Sequence, residues 1–274
     1  MRPYGADRVK TAYSANRFRG LPSLLRVWRL EAGLQMERGK ALSQKEVAHK
    51  TGVSERWYRT LESGADVSLP PNVLDRLAET LRLGPDERMA IYAHALSGST
   101  LTRPYSVESS SESADLEELE ELVEWPQDVP AYLIDHTWTI IRHNAHMARW
   151  FPWVTEPSAN LLRWVLTAPE AREQLLGWHD HVEHYLGQLR FALVNWPADP
   201  VLNDLLEHVL AIPECERIWQ ERPRVVAYRQ GHQFHLRVPS ASAEEVTVRS
   251  QVLLPASHPG WRFVILMLRQ GGSR

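Results

Sequence analysis

Hydrophobic and polar positions from Leu42 to Gly64 show helical periodicity in two short segments, which are separated by a glycine. The apolar positions of the first segment are Val47 and Ala48. In the second segment Tyr58 and Leu61 stand three residues apart, which puts them on the same side of a helix. The pattern therefore predicts two helices that pack through these faces and are joined by a tight turn.

Polar residues and glycine mark the ends of these two helices. Ser43 and Glu46 have the spacing of a capping box, so the first helix is predicted from about Gln44 to Thr51. Gly52 tolerates the positive φ of a sharp reversal, and the second helix is predicted from Glu55 to about Ser63. This spacing is typical of a helix-turn-helix, whose second helix enters the major groove of DNA.

The outer face of the second helix carries side chains suited to DNA. Arg56 has the planar fork for a bidentate contact to guanine, and Glu55 can accept a hydrogen bond from the amino group of cytosine. Trp57 borders this face and Thr60 completes it. The side chains that suit phosphate contacts are Ser43, Gln44, Lys45, Ser54 and Arg59. The alternative is a small helical bundle whose charges are only solvated.

The distribution of charge supports a DNA partner. Residues 1–60 contain thirteen Lys and Arg against five Asp and Glu, a net charge near +8, although the whole chain carries −3. Residues 1–20 are predicted to form an N-terminal arm whose basic side chains contact phosphates or the minor groove. A disordered, solubilising tail explains the same segment.

An acidic segment follows the predicted helical region. Ser106–Ser113 is typical of a flexible linker, and residues 108–128 contain nine Asp and Glu with no Lys or Arg. Apolar residues recur there at helical spacing, namely Leu116, Leu119, Leu122 and Val123. The pattern predicts an amphipathic helix, which either masks the basic DNA-binding face or connects two domains as a solvated helix.

The C-terminal part of the sequence predicts an α+β domain. The β-rich runs are Tyr132–Asp135, Thr139–His143, Val225–Arg229, Phe234–Val238, Val246–Leu254 and Arg262–Leu268. The helical patterns between them include Gln174–Asn195, Val201–Ala211 and Glu214–Gln220. We expect a sheet of about five antiparallel strands that is covered by helices on one side.

Candidate catalytic chemistry is sparse. The segment Trp178–His184 holds three histidines and two carboxylates, so a metal site is conceivable. On a helix, however, His179 and His181 point roughly 200° apart, so this segment does not supply three convergent ligands. The sequence lacks the phosphate-binding, dinucleotide-binding and serine-hydrolase motifs. We therefore predict no enzyme, no cofactor and no metal, and keep a metal-dependent hydrolase as the less favoured alternative.

The composition mainly informs the expected cellular location of the protein. The single cysteine, Cys215, excludes an internal disulfide. The N-terminus lacks the apolar run of a secretion signal, and no apolar run approaches the roughly 20 residues of a membrane span. A cytoplasmic protein without a membrane partner is expected.

The DNA-binding region resembles a known family. Leu21–Leu96 looks like an XRE-type domain, and Val53–Glu62, Pro71–Ala78 and Leu83–Arg88 are similar to motifs of the MmyB-like regulators of actinobacteria. The remainder fits the same family at Pro130–Asp135, Trp138–Asn144, Asn160–Arg163, Asp199-Pro200 and Glu221–Arg224. The resemblance implies an all-α, five-helix Cro/repressor-like DNA-binding domain followed by an α+β, PAS-like ligand-binding domain.

Together with the charge pattern, this resemblance sets the expected domain boundaries. After the arm, the helix-turn-helix domain covers residues 21–97, an acidic linker and helix covers residues 98–125, and the PAS-like domain covers residues 126–274. The excess of arginine over lysine, 27 against 4, indicates a GC-rich genome and an actinobacterial source.

Nine of the eleven tryptophans lie after residue 124, where they either fill a core or line an apolar pocket. The resemblance implies a cavity for an elongated or apolar small molecule such as a fatty acid. The candidate wall residues are Tyr132, Trp138, Phe151, Trp164 and Leu193. Arg224 or Arg229 is the candidate anchor for a ligand carboxylate.

The sequence thus predicts a bacterial transcription regulator. We expect a homodimer that binds an inverted-repeat operator in double-stranded DNA and senses a small apolar ligand. The alternative within regulation is a second domain that binds a protein partner.

Overall fold

The computed structural model describes residues 20–97, 112–126, 128–221, 223–227, 231–240, 242, 244–258 and 260–269. The helices in these residues are α1 Leu21–Gln35, α2 Gln44–Thr51, α3 Glu55–Ser63, α4 Pro71–Thr80, α5 Pro85–Ser97, α6 Glu112–Glu124, α7 Ala145–Trp150, α8 Leu161–Thr167, α9 Pro169–Gln174, α10 Trp178–Asn195, α11 Pro200–Leu210 and α12 Pro213–Glu221. The strands are β1 Ala131–Ile134, β2 Ile140–His143, β3 Leu175–Leu176, β4 Gln233–Leu236, β5 Val246–Leu253 and β6 Arg262–Leu268. The N-terminal arm before residue 20, most of the serine-rich linker and Arg229 lie outside the described residues.

The described residues pack into two compact units. The first unit contains the described residues before position 98 together with those of Leu186–Ala227. The second unit contains the remaining described residues. Within the described ranges, no helix is both long and apolar enough to cross a membrane.

Local capping fixes the helix-turn-helix in the first unit. The Ser43 Oγ accepts a hydrogen bond from the Glu46 backbone N–H at 3.2 Å, and the Glu46 carboxylate accepts one from the Ser43 N–H at 2.8 Å. This is the capping box that the sequence predicts. The turn uses Gly52 at φ 70°, and α3 ends at Gly64 at φ 88°, conformations that glycine adopts without strain.

A buried ion pair joins α1 to the end of α3. Arg29 donates two hydrogen bonds of 2.8 Å, one to each carboxylate oxygen of Glu62, whose side chain is only 3% exposed. Gln44, the first residue of α2, donates to the same carboxylate at 3.1 Å. Burial acts to raise the pKa of Glu62, but Arg29, together with smaller contributions from Gln44 and Tyr58, lowers it below its ordinary value. The Glu62 carboxylate therefore links α1, α2 and α3 to one another.

The core of the first unit also contains residues from the second half of the chain. Phe191 and Val194 of α10 are buried in the same hydrophobic cluster as the helices α1 to α5, and so are Val225 and Ala227. Arg190 is buried beside them. It donates hydrogen bonds to the backbone carbonyls of residues 219 and 224, and burial lowers its pKa to about 9.

Two predictions for this half of the chain are wrong. The run Val225–Arg229 is not a strand over residues 225–227, because these residues pack against the helical core and pair with no strand; residues 228–230 lie outside the described part. The predicted helix Gln174–Asn195 is interrupted. Gln174 ends α9, β3 follows, and α10 begins only at Trp178 after Gly177 at φ 71°. The residues of β3 leave the helix because they pair with β4.

The second unit contains an antiparallel sheet of six strands in the order β2-β1-β6-β5-β4-β3. The sequence predicts about five strands. The two-residue strand β3 is present in the structure but was not predicted. Strand β1 is buried along its whole length, while β4 alternates exposed and buried positions from Gln233 to Leu236. The fold is thus a helical region with a helix-turn-helix, followed by an α+β domain.

Asn144 connects several segments of this unit. Its Oδ1 accepts hydrogen bonds from the backbone N–H groups of Ala131 and Met147, at 3.1 and 2.9 Å. Its Nδ2 donates to the carbonyls of Pro126 and Val129, both at 2.9 Å. All of these bonds are made by a side chain that is 3% exposed. The asparagine therefore caps α7 and fixes the approach to β1.

The acidic helix α6 packs on the same sheet. Val123 is fully buried and clusters with Ala131, Leu133 and Phe263. Arg142 of β2 lies 3.7 Å from a carboxylate oxygen of Glu120 and 3.8 Å from one of Glu124. The helix that the apolar spacing predicts is present, and these contacts support a structural part for its C-terminal half.

Candidate nucleic-acid interface and ligand cavity

The N-terminal half of α3 presents a polar surface. Arg56 is exposed, whereas Trp57 is half-buried and packs against the hydrophobic core of the first unit. The Ser54 Oγ accepts a hydrogen bond from the Trp57 backbone N–H at 3.1 Å and so begins the helix. The Thr60 hydroxyl donates to the carbonyl of Arg56 at 2.9 Å. Arg56 is thus the exposed arginine in the first turn of the recognition helix.

Glu55 and Arg59 are paired with each other on this face. They form an ion pair one helical turn apart, with 38% of the Glu55 side chain and 63% of the Arg59 side chain exposed. A contact from Glu55 to cytosine would have to compete with Arg59 for the same carboxylate. The pair also leaves most of the Arg59 guanidinium open to a phosphate, because such exposed pairs are weak.

The start of α2 lies in the same helix-turn-helix. Lys45 is exposed, while the Ser43 hydroxyl is used within the capping box and Gln44 donates to the buried carboxylate of Glu62. The backbone N–H groups at this helix start that the capping box does not use, with the positive end of the helix dipole, suit a phosphate. The polar side chains predicted for DNA therefore all lie on α2, α3 and their caps.

One acidic side chain in this region has a strongly shifted pKa. The carboxylate of Glu46 accepts a hydrogen bond from the Ser43 backbone N–H and pairs with Arg38 at 2.7 Å. The Ser43 N–H first and Arg38 second lower the pKa of Glu46 to about 2. Glu46 is therefore ionised at neutral pH and keeps the capping box closed. The sequence identifies Ser43 and Glu46 as a capping box but gives no sign of Arg38.

An apolar cavity of about 30 Å³ lies in the second unit. The described residues that line it are Tyr132, Met147, Phe151, Trp153, Leu161, Trp164, Val165, Leu175, Tyr185, Phe234, Leu236 and Leu266. Three of the predicted wall residues, Tyr132, Phe151 and Trp164, are among them. The sequence did not identify the other lining residues, because an aromatic or aliphatic residue has the same sequence signature in a core as in a cavity wall.

Aromatic rings form one side of the apolar cavity. The Trp153 and Trp164 rings are stacked with centroids 4.9 Å apart and an interplanar angle of 15°. Phe151 meets Trp164 edge-on, with centroids 5.6 Å apart. Trp153 belongs to a short 3-10 turn, Pro152–Thr155, between α7 and α8. These contacts hold the rings in defined orientations.

The remaining predicted ligand-binding residues lie elsewhere. Trp138 is 1% exposed and has the Arg262 guanidinium 4.7 Å above its ring, but it is not among the described residues that line the apolar cavity. Leu193 and Arg224 belong to the first unit, where Leu193 is fully buried. Arg229 lies outside the described residues. The structure therefore brings together three of the seven predicted ligand contacts.

The histidines of α10 lie in different environments. His181 is buried, and its Nδ1 lies 3.3 Å from the Nε2 of His232, whereas His179 is exposed. Phe234 stacks on His181 with ring centroids 5.2 Å apart, and the His184 ring lies 5.6 Å from that of His232. Across the described ranges, no three His, Cys, Asp or Glu side chains are arranged to hold a metal ion.

Comparisons with known proteins identify a family for each of the two regions, the helix-turn-helix and the α+β domain. Residues 117–273 match the family described as MmyB-like transcription regulator ligand binding domain, and residues 23–91 match a helix-turn-helix domain family. A search of curated proteins gives no match to the chain. The first match begins within α6 and covers more than half of the 274 residues. The chain therefore belongs to the MmyB-like transcription regulators, DNA-binding proteins in which a helix-turn-helix domain precedes a ligand-binding domain.

Proposed function

We propose that this regulator recognises a specific operator through Arg56 and contacts the DNA backbone through the starts of α2 and α3. The exposed Arg56 at the first turn of a capped recognition helix is the observation that carries this proposal. The proposed base contacts are Arg56 and Glu55, with Trp57 packing on a sugar or thymine methyl. The proposed phosphate contacts are Ser43, Gln44, Lys45, Ser54 and Arg59. Thr60 belongs to the outer face of α3 that meets the DNA.

We further propose that the regulator acts as a homodimer in the bacterial cytoplasm. Two recognition helices on adjacent half-sites double the base readout, and the two-fold symmetry of a dimer matches an inverted repeat. A helix-turn-helix that regulates transcription works where the chromosome is. The excess of arginine over lysine supports an actinobacterial source.

The ligand that we propose is a small apolar molecule bound at the apolar cavity. Pockets for small molecules usually measure roughly 300–1,000 Å³, far more than the 30 Å³ of this cavity. A ligand must therefore displace side chains to enter, so the liganded domain differs from the form described here. Ligand binding then changes DNA affinity by the difference between its affinities for the two forms.

The experiment that tests the DNA proposal is fluorescence anisotropy of the full-length protein on its own upstream DNA and on scrambled DNA, at fixed salt. We expect Arg56→Ala to weaken binding to the upstream DNA by about tenfold or more, since a bidentate base contact is worth roughly 1–3 kcal/mol. The matched control is Arg142→Ala, which removes an arginine of the second unit that is 48% exposed and lies near Glu120 and Glu124. Equal affinity of the wild type for both DNAs would overturn the proposal of sequence-specific binding.

A further inference from the structure

The indole of Trp153 is fixed at the wall of the apolar cavity. Its ring is stacked on that of Trp164, and both rings line the cavity. The 3-10 turn Pro152–Thr155 holds its backbone, and the Thr155 hydroxyl donates to the Pro152 carbonyl at 2.8 Å across that turn. The indole is therefore part of the aromatic wall of the cavity.

The N–H group of this indole is buried and has no hydrogen-bond partner among the described residues. A buried donor that is left unpaired destabilises a protein, so native structures rarely keep one without a use. Tryptophan is a donor only, so the group that would satisfy it must be an acceptor. A ligand oxygen at the cavity is such an acceptor.

The rest of the wall limits the kind of oxygen. The described residues that line the apolar cavity are aliphatic or aromatic, apart from the hydroxyls of Tyr132 and Tyr185 and the thioether of Met147, and none of them is charged. Moving a carboxylate into such surroundings without a cation is costly. A neutral carbonyl, hydroxyl or ester oxygen matches a single neutral N–H donor.

We propose that the Trp153 indole N–H is the hydrogen-bond donor for a neutral oxygen on a mainly apolar ligand, of the class of long-chain ketones, alcohols and esters. This inference rests on the proposed binding of an apolar ligand at the same cavity. It replaces the free fatty acid and its arginine anchor with a neutral molecule whose polar group is read by an indole.

The test uses 2-decanone as the probe, with decanoate for comparison, and full-length protein in isothermal titration calorimetry. Trp153→Phe keeps an aromatic ring and removes the N–H. We expect this variant to bind 2-decanone about three- to tenfold more weakly than the wild type, as the loss of one neutral hydrogen bond predicts. The matched control is Trp150→Phe. The Trp150 N–H is also buried with no partner among the described residues, but Trp150 is not one of the described residues that line the cavity.

Infrared spectroscopy of the bound ketone separates a hydrogen bond from a packing effect. The carbonyl stretch of 2-decanone is expected at lower wavenumber in the wild type and in Trp150→Phe than in Trp153→Phe. An identical stretch and affinity in the wild type and Trp153→Phe would overturn the inference and leave ligand binding intact. Tighter binding of decanoate than of 2-decanone by the wild type would overturn the neutral class. No binding of either probe by the wild type would overturn the proposed apolar-ligand function itself.

Discussion

Replacing Arg29 with methionine is expected to destabilise the DNA-binding unit strongly. The change removes both 2.8 Å hydrogen bonds and the positive charge from Glu62, yet keeps a long side chain in the space. Glu62 then remains a buried carboxylate, with Gln44 at 3.1 Å and the exposed Arg26 at 3.7 Å still near it. An ion that is left buried without its partner is the main source of the loss.

The magnitude follows from the burial of the pair. The Arg29 and Glu62 side chains are 15% and 3% exposed, and breaking a buried pair by removing one partner typically costs about 3–5 kcal/mol. Because Gln44 and Arg26 still contact the carboxylate, we expect the lower end, about 3 kcal/mol in the free energy of unfolding. Arg26→Met is the matched control. The Arg26 side chain is 61% exposed, so its loss should cost less than about 1 kcal/mol.

The assay is urea unfolding followed by circular dichroism at neutral and acid pH, with hydrogen exchange of the α3 amides to assign the transition to this unit. In the wild type the pKa of Glu62 is lowered, so its contribution is present at neutral pH and is lost as the pH falls below the ordinary carboxyl range. In Arg29→Met the contribution of Arg29 is lost, so the pKa of Glu62 rises relative to the wild type. Protonation of Glu62 at acid pH then removes the buried, unpaired charge. The difference in free energy of unfolding between the wild type and Arg29→Met should therefore become smaller towards acid pH. A loss no larger than that of Arg26→Met, or a difference that is independent of pH, would refute this reasoning.

Two further predictions concern the same unit. Gly33→Ala should lower the free energy of unfolding by about 3 kcal/mol, because a Cβ there would lie 1.9 Å from the Lys40 carbonyl oxygen. Gly39→Ala is its control in thermal denaturation, since nothing lies within 4 Å of that Cβ and only its positive φ opposes the change; equal losses would contradict the clash. Glu46→Gln should be less stable than the wild type at neutral pH, and this difference should fade as the pH drops from 4.5 towards 2, where Glu46 becomes protonated. A constant difference in unfolding midpoint between pH 6 and 3 would show that the charge of Glu46 does not matter.

The helix-turn-helix was predictable because its signals are local. The capping box spans four residues, and the turn needs one glycine with positive φ, so Ser43, Glu46 and Gly52 specify their own conformations. The predicted bounds of its two helices, Gln44–Thr51 and Glu55–Ser63, agree with α2 and α3.

The wall of the apolar cavity was only partly predictable. Tyr132, Phe151 and Trp164 line it, but Leu193, with the same apolar character, is buried in the other unit. Hydrophobicity decides that a side chain is buried, not which core receives it. That the Trp153 N–H has no partner among the described residues is likewise invisible in the sequence, because it depends on every group packed around the ring.

The sequence by itself determined the type of each strongly periodic helix, the DNA-reading motif and the presence of a second, α+β domain, since these follow from residue spacings within one or two helical turns. Only the tertiary structure decided that Glu62 is paired with Arg29, which lies 33 positions away, and that Leu175 pairs with Leu236 instead of continuing a helix. It also decided that Leu186–Ala227 packs with the DNA-binding helices. The physical reason is that ion pairing, strand pairing and burial depend on partners distant in the chain, and no local preference encodes which partner is met.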